Sequence, residues 1–252
     1  MNKVSIIGVG PGAIDLLTIR AANRLKNADL VIWTDSLISP EIADLAPKSC
    51  RKIPTSSLTL EEIISIITDQ FSQGKKIVRL HDGDPCLYGA ISEQISLLAD
   101  AGIEVEVIPG LSAYQVAAAT LKSELTIPNQ VQTIILSRAS GRTGMPDSEK
   151  LERLAAINAS LCLYLSARHV NEVQETLLRH YPAETPVAIC YRISWKDEWI
   201  QIVPLSQIAK VTKEKELIRT TLYIVSPAFS KSKNRSKLYS PKHSHLFRNA
   251  KY

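Results

Sequence analysis

The residues of this chain best placed to do chemistry are two carboxylates around a glycine, Asp82-Gly83-Asp84, in the run His81-Asp-Gly-Asp-Pro-Cys-Leu-Tyr-Gly89. A paired anion suits a cationic or hydroxyl-rich ligand, such as a sulfonium, an amino group or a ribose diol. Next to a pyrophosphate it would be repulsive unless a metal intervened. Two aspartates also suit magnesium, although no phosphate cradle accompanies them, or a turn that satisfies only its own N–H groups. A second run, Gly8-Val-Gly-Pro-Gly12, fits G-x-G-x-x-[G/A] through Gly8, Gly10 and Ala13, with Asp35 about where a dinucleotide fold keeps its ribose-binding acid. That spacing alone leaves three readings open: a nicotinamide or flavin enzyme, another ligand, or a structural turn. Pro11 counts against a pyrophosphate because it has no N–H to offer. A third run, Pro109-Gly-Leu-Ser-Ala113, completes the set. His81, alone beside the aspartates, reads as structural more readily than as a proton carrier.

Each of these loops follows a strand-like run: Lys3 to Gly8, Lys76 to Leu80 and Glu104 to Ile108. Asp29 to Trp33 is a further strand. Helical spacing appears over Thr18–Ala28, after the capping box Thr59-Leu-Glu-Glu62 as far as about Gly74, over Ala90–Ala101 and over Ser112–Lys122. Strands alternating with helices predict a parallel sheet covered on both faces. In such a sheet, strand ends of one polarity share an edge where ligands sit, and glycines there let backbone approach closely.

The texture changes at Ser123–Gln130, which reads as a linker. Beyond it, strands are expected at Val131–Ser137, Ser160–Leu165, Pro186–Tyr191, Glu198–Val203 and Arg219–Ser226, with helices at Lys150–Ile157, Arg168–Tyr181 and Leu205–Thr212. The Pro186 and Glu198 strands form a hairpin with Trp195-Lys196-Asp197 near its turn, which makes the second sheet mixed. The predicted class is therefore α/β with two α/β domains, residues 1–122 and 131–229, joined by 123–130 and followed by a tail, 230–252.

That tail carries seven Lys or Arg and no acid, and without it the body has 23 bases against 25 acids. The net charge of +5 thus belongs to the tail, whose composition predicts disorder, and the body is not marked as a nucleic-acid binder. Cys50, Cys86, Cys162 and Cys190 are widely spaced, which argues against a zinc site or a disulfide framework. The longest uncharged stretch, Val107–Leu121, is too short for a membrane span of about 20 residues and is broken by Pro109 and Gly110. No cleavage site follows the N-terminal apolar run, so the expected location is cytoplasmic.

Taken together, and in this order, IIGVGPG, VRLHDGDPCLYGA and EVIPGLSAY resemble the tetrapyrrole methylase family, whose pattern is G-x-G-P-G, then G-D-P-x-x-Y-G, then P-G-x-[ST]-[AS]. The likeness spans roughly residues 3 to 229. The linker Glu124-Leu-Thr-Ile-Pro128, the stretch QTIILSRASGRTGMPDSEKL, Thr34-Asp-Ser-Leu37 and Val187-Ala-Ile-Cys-Tyr-Arg192 are similar to the branch that methylates C-11 of precorrin-4, with or without cobalt. One departure is Ala13-Ile14 where the family commonly has Asp-Pro after G-P-G.

The resemblance implies S-adenosylmethionine as cofactor, bound in a cleft between the two domains, a precorrin acceptor and a homodimer, with no nucleic-acid or membrane partner. It implies cofactor contacts at Pro11, Asp82, Gly83, Asp84, Leu87, Tyr88, Ser112 and Ala113, and from the second half at Leu165, Tyr191, Arg192, Thr221 and Leu222. No residue is implied as acid, base or nucleophile, since displacement at an activated methyl chiefly needs alignment. Arg138 and Arg142 are expected to bind the acceptor's acetate and propionate groups through paired hydrogen bonds, and Arg192 is expected to assist.

Overall fold

The computed structural model describes residues 3–140, 144–230 and 240–250. The chain divides into two compact units. The first is Met1–Val116 with Arg192–Glu198, and the second is Ala117–Tyr191 with Trp199–Tyr252. The division thus falls inside a helix, ahead of the 123–130 segment, and places the turn of the hairpin with the first unit.

In the first unit the chain runs β1 (Val4–Gly8), α1 (Ile19–Lys26), β2 (Leu30–Trp33), α2 (Pro40–Ala43), β3 (Arg51–Pro54), α3 (Leu60–Ser72), β4 (Ile77–His81), α4 (Ile91–Asp100), β5 (Val105–Ile108) and α5 (Ala113–Thr120). All five strands are parallel, in the order β3-β2-β4-β1-β5. Alternate residues of each strand feed opposite faces. Ile7, Val31, Val78 and Leu80 pack with Ala21 and Leu25 of α1 and with Ile42 of α2. Val4, Leu30, Ile32 and Ile77 pack with Ile63 and Ile67 of α3 and Leu98 of α4. β1, β2 and β4 are buried on both faces, so their sequences are mostly apolar without alternation, broken only by Ser5, Arg79 and His81. The capping box closes as expected: Thr59 N–H donates to Glu62 Oε2 at 2.7 Å, and Glu62 N–H to Thr59 Oγ1 at 3.3 Å.

Two elements go beyond the sequence expectation, α2 and β3. Both are four residues long, too short for a period to show. β3 is also an edge strand, Arg-Lys-Ile-Pro, with exposed ends. Lys, Arg and Pro protect such edges against stray pairing and at the same time remove the apolar signal.

The second unit runs β6 (Ile134–Arg138), α6 (Leu151–Ala155), β7 (Ser160–Tyr164), α7 (Val170–Leu178), β8 (Pro186–Tyr191), β9 (Trp199–Pro204), α8 (Ile208–Glu214) and β10 (Thr221–Val225). The order is β6-β7-β10-β8-β9, with β6–β7 parallel and the other three pairs antiparallel, so the sheet is mixed. Helices α6, α7 and α8 bury Ala155, Val173, Leu177 and Ile208 against Leu161, Leu163, Val187, Ile189 and Tyr223. Within the tail, residues 240–250 include a turn in which His245 and Arg248 exchange backbone hydrogen bonds. The remainder of the tail's expected disorder lies outside the described residues.

Candidate functional site

β1 and β4 are neighbours, but the chain leaves β1 toward β2 and leaves β4 toward β5, on opposite faces of the sheet. Crevices of open sheets form at such a reversal, and the loops meeting there are Gly8–Gly12 and Asp82–Gly89. They are zipped together: Gly10 N–H donates to Gly83 O at 3.2 Å, and Gly83 N–H to Gly10 O at 2.9 Å. Both glycines have positive φ, +73° and +58°. The third loop packs onto this pair so tightly that a Cβ on Gly110 would lie 2.2 Å from Gly83 O. A Cβ on Gly8 would lie 2.6 Å from Gly110 N. The glycines at these positions let loop backbones meet one another.

The two aspartates differ. Asp84 Oδ1 accepts Cys86 N–H at 2.8 Å and its Oδ2 accepts Gly110 N–H at 3.0 Å, so this side chain fastens the second loop to the third. Asp82 is exposed, and among the described residues no side chain donates a hydrogen bond to it. The surrounding protein nevertheless pushes its carboxyl above the usual range, against the opposing pull of its own N–H and the Arg79 guanidinium. Pro11, Leu87 and Ala113 are half-buried, and Ser112 is buried with its N–H donating to Gln115 Oε1 at 2.8 Å.

Backbone strain singles out three of the residues implied by the resemblance. Tyr88 (φ +59°), Leu165 (φ +53°) and Arg192 (φ +47°) are held in the left-handed region. Tyr88 and Leu165 are also exposed large apolar side chains, Leu165 at 68%. Strained non-glycine residues concentrate at ligand sites.

In the second unit, strand directions bring the ends of β6, β7 and β8 and the start of β10 to one edge. Arg138 pairs with Tyr164, beside Leu165, and Thr221 pairs with Tyr191. Ser166 fixes that turn, its Oγ accepting Ala139 N–H at 2.8 Å and donating to Tyr164 O at 2.7 Å. Thr221 is buried with its hydroxyl donating to Arg219 O at 3.0 Å, and Leu222 is buried. Arg138 Nη2 donates to Gly144 O at 2.9 Å. Arg142 lies outside the described residues.

Several residues outside the implied contacts are also fixed by the structure. Arg79, on β4, is buried in the sheet and donates long bonds to Ile32 O and Leu80 O and to Thr34 Oγ1 at 3.3 Å, leaving Nε without a partner. Burial pulls its pKa down to about 10, with Asp82 acting in the other direction. A cation inside the apolar run Ile-Val-Arg-Leu was the available signal. His81 ends β4 and is buried; burial and the Arg79 charge push it down to about 3, so it is neutral at neutral pH. Asp35 accepts Ser56 N–H at 2.9 Å and Ser56 Oγ–H at 2.8 Å, which holds its carboxyl below the usual range. Trp195 and Ser194, in the turn between β8 and β9, bond to the first loop.

A cavity of about 530 Å³ lies elsewhere, at the opposite edge of the first sheet, lined by Lys3, Ser5, Arg24, Lys76 and Glu106 among others. Within it Glu106 accepts Arg24 and Ser5, and Lys3 pairs with Glu104. Among the described residues there is no cluster of His, Cys, Asp and Glu suited to a metal, and no helix long and apolar enough to cross a membrane.

Comparison with known proteins adds to this geometry. The sequence profile of the Tetrapyrrole (Corrin/Porphyrin) Methylases matches residues 3–209. The chain is 40% identical over 249 residues to the cobalt-precorrin-4 C(11)-methyltransferase of Methanocaldococcus jannaschii, covering 98% of this chain and 96% of that protein. It is 35% identical over 246 residues to the precorrin-4 C(11)-methyltransferase of Pseudomonas aeruginosa, covering 97% and 98%. Among solved structures, a cobalt precorrin-4 methyltransferase of cobalamin biosynthesis superposes with a TM-score of 0.88 at 34% identity, covering 91% of this chain and 96% of that one.

Proposed function

Because the chain belongs to the tetrapyrrole (corrin/porphyrin) methylase family, we propose that it transfers a methyl group from S-adenosylmethionine to C-11 of precorrin-4 or cobalt-precorrin-4 in building the corrin ring. The observation that carries this reading is the convergence of three motif loops on one sheet edge, in a chain whose full length matches enzymes named for that reaction.

The loop chemistry fits a cationic nucleoside. Loop N–H groups that a pyrophosphate would need are already engaged: Gly10 with Gly83, Gly83 with Gly10, Gly110 with Asp84 and Ala13 with Ser194. Pro11 has none, and no Lys or Arg occurs in the three loops. What they present instead is the open Asp82 carboxylate and the exposed ring of Tyr88. S-adenosylmethionine would supply a methyl already activated on a sulfonium. The protein's part is then to bind, orient and exclude water, and alignment of this kind is worth up to about 7–11 kcal/mol. Asp82 would face the donor's positive charge, Asp84 keeps the loops in register, and Pro11, Leu87, Tyr88, Ser112 and Ala113 would give the donor apolar and backbone surface. Leu165, Tyr191, Arg192, Thr221 and Leu222 are proposed as further donor contacts, and Arg138 and Arg142 as ligands of the acceptor's carboxylates. The reading includes a homodimer in the cytoplasm with no nucleic-acid or membrane partner.

The test is incubation with precorrin-4 and with cobalt-precorrin-4 in the presence of donor labelled with carbon-13 in its methyl. Label at C-11 with release of S-adenosylhomocysteine is expected. Label at another carbon, or none from either acceptor, overturns the assignment.

A further inference from the structure

We infer that Trp195 is a positioning residue for donor binding: together with Ser194 it clamps the Pro11–Ala13 segment of the first loop. The inference rests on the donor reading above and adds a residue to it.

The seven residues Arg192–Glu198, between β8 and β9, belong to the first unit. Trp195 Nε1–H donates to Pro11 O at 2.7 Å, and Ser194 Oγ accepts Ala13 N–H at 3.0 Å. The indole also covers Gly12, where a Cβ would lie 2.5 Å from Trp195 Cδ1. The third glycine of the motif therefore makes room for a tryptophan. Two bonds and one packed ring thus fix the three residues that follow the Gly10–Gly83 pairing, a stretch in which Pro11 has no N–H to donate.

The clamp is itself held. The Arg192 guanidinium stacks over the indole, 4.1 Å from its centroid, and pairs with Asp197 at 2.5 Å. Glu198 accepts Ser194 N–H at 2.6 Å, and Lys196 pairs with Glu41 beyond the loop. Arg192 and Ser194 both have positive φ, a strain that this set of contacts sustains. Arg192 thereby holds Trp195 in place, in addition to the donor contact proposed for it.

The experiment measures S-adenosylhomocysteine binding by calorimetry, and amide hydrogen exchange in the free protein, for wild type, Trp195→Phe and Trp195→Ala. Trp195→Phe keeps an aromatic ring and loses the N–H, and should raise the dissociation constant about fivefold, the scale of one net hydrogen bond. Faster exchange at Gly12 and Ala13 should accompany it, with the Michaelis constant for the tetrapyrrole unchanged. Trp195→Ala should act in the same direction and more strongly. Gly12→Ala should weaken binding alone and cost less in the Trp195→Ala background, where the two nearest clashing atoms are gone and only Ile193 O remains close, at 3.1 Å. A wild type that binds while Trp195→Phe and Trp195→Ala leave both affinity and exchange unaltered overturns this inference alone. A wild type that does not bind S-adenosylhomocysteine removes the donor reading and the inference with it.

Discussion

Asp82 and Asp84 share a side chain and a loop, and their surroundings give them separate tasks. Both oxygens of Asp84 are taken by N–H groups of its own loop and the next, whereas Asp82 meets solvent with no side-chain donor among the described residues. Asp82→Asn should therefore leave the loop intact and weaken S-adenosylhomocysteine or donor binding about tenfold, the lower end for a charged hydrogen bond; equal affinity by calorimetry would remove Asp82 from the site. Because crowding raises its pKa, wild-type donor affinity should begin to fall with acid at a pH where a free aspartate would still be ionised, and the Asn variant should lack that decline. The glycines separate in the same way. Gly110→Ala forces a methyl to within 2.2 Å of Gly83 O, so the loops must part, at about 3 kcal/mol. Gly83→Ala meets nothing closer than 3.9 Å and suffers only its φ of +58°, about 1–2 kcal/mol. Chemical denaturation that finds the two equal would show that loop contact is not what Gly110 provides.

Strand β4 carries two buried ionisable groups on the same face, Arg79 and His81, and they make the stability of the fold depend on pH. His81 is pushed down to about 3 in the folded chain, against about 6.5 when unfolded. Between those values the unfolded state binds the extra proton, so stability is fully present above about pH 6.5 and is lost as pH falls toward 3. At pH 5 the loss should be about 2 kcal/mol relative to pH 7.5. Urea titrations across this range should show it, and His81→Gln should flatten that part of the profile; an unchanged profile would mean that His81 is solvated. His81 also marks how far a sequence can be read. The loops at the carboxyl edge were legible because a glycine-bearing run follows an apolar run at each of the three turns. That His81 is the last strand residue, buried beside a second charge, was not, since one histidine next to a loop carries no period. The hairpin β8–β9 was legible from its two apolar runs. The use of its turn to grip Pro11 and Ala13 was not, because those contacts join residues 184 and 181 positions apart and leave no local pattern. α2 and β3 were lost to brevity, and β3 also to the basic residues that protect an edge.

On the scale of the whole molecule, the question is how a body with 23 bases and 25 acids outside residues 230–252 attracts an acceptor rich in carboxylates. The first sheet's loops contribute no cation. The second sheet does: Arg138 stands at the edge that also gathers Leu165, Tyr191 and Thr221, and the chain continues from it into Gly141-Arg142-Thr143-Gly144. On the reading proposed above, recognition of the macrocycle falls to a few local guanidinium groups, with little part for overall charge. Two outcomes follow. Arg142→Ala should raise the Michaelis constant for the tetrapyrrole about tenfold or more, the worth of a charge-assisted pair, while donor affinity stays put. Raising ionic strength from about 0.05 to about 0.5 M, which shortens the screening length to a few ångströms, should raise the tetrapyrrole constant in wild type and less so in the variant. Equal salt dependence in the two would place the acceptor's carboxylates on other groups, and the tail's seven bases would then be the next cations to remove.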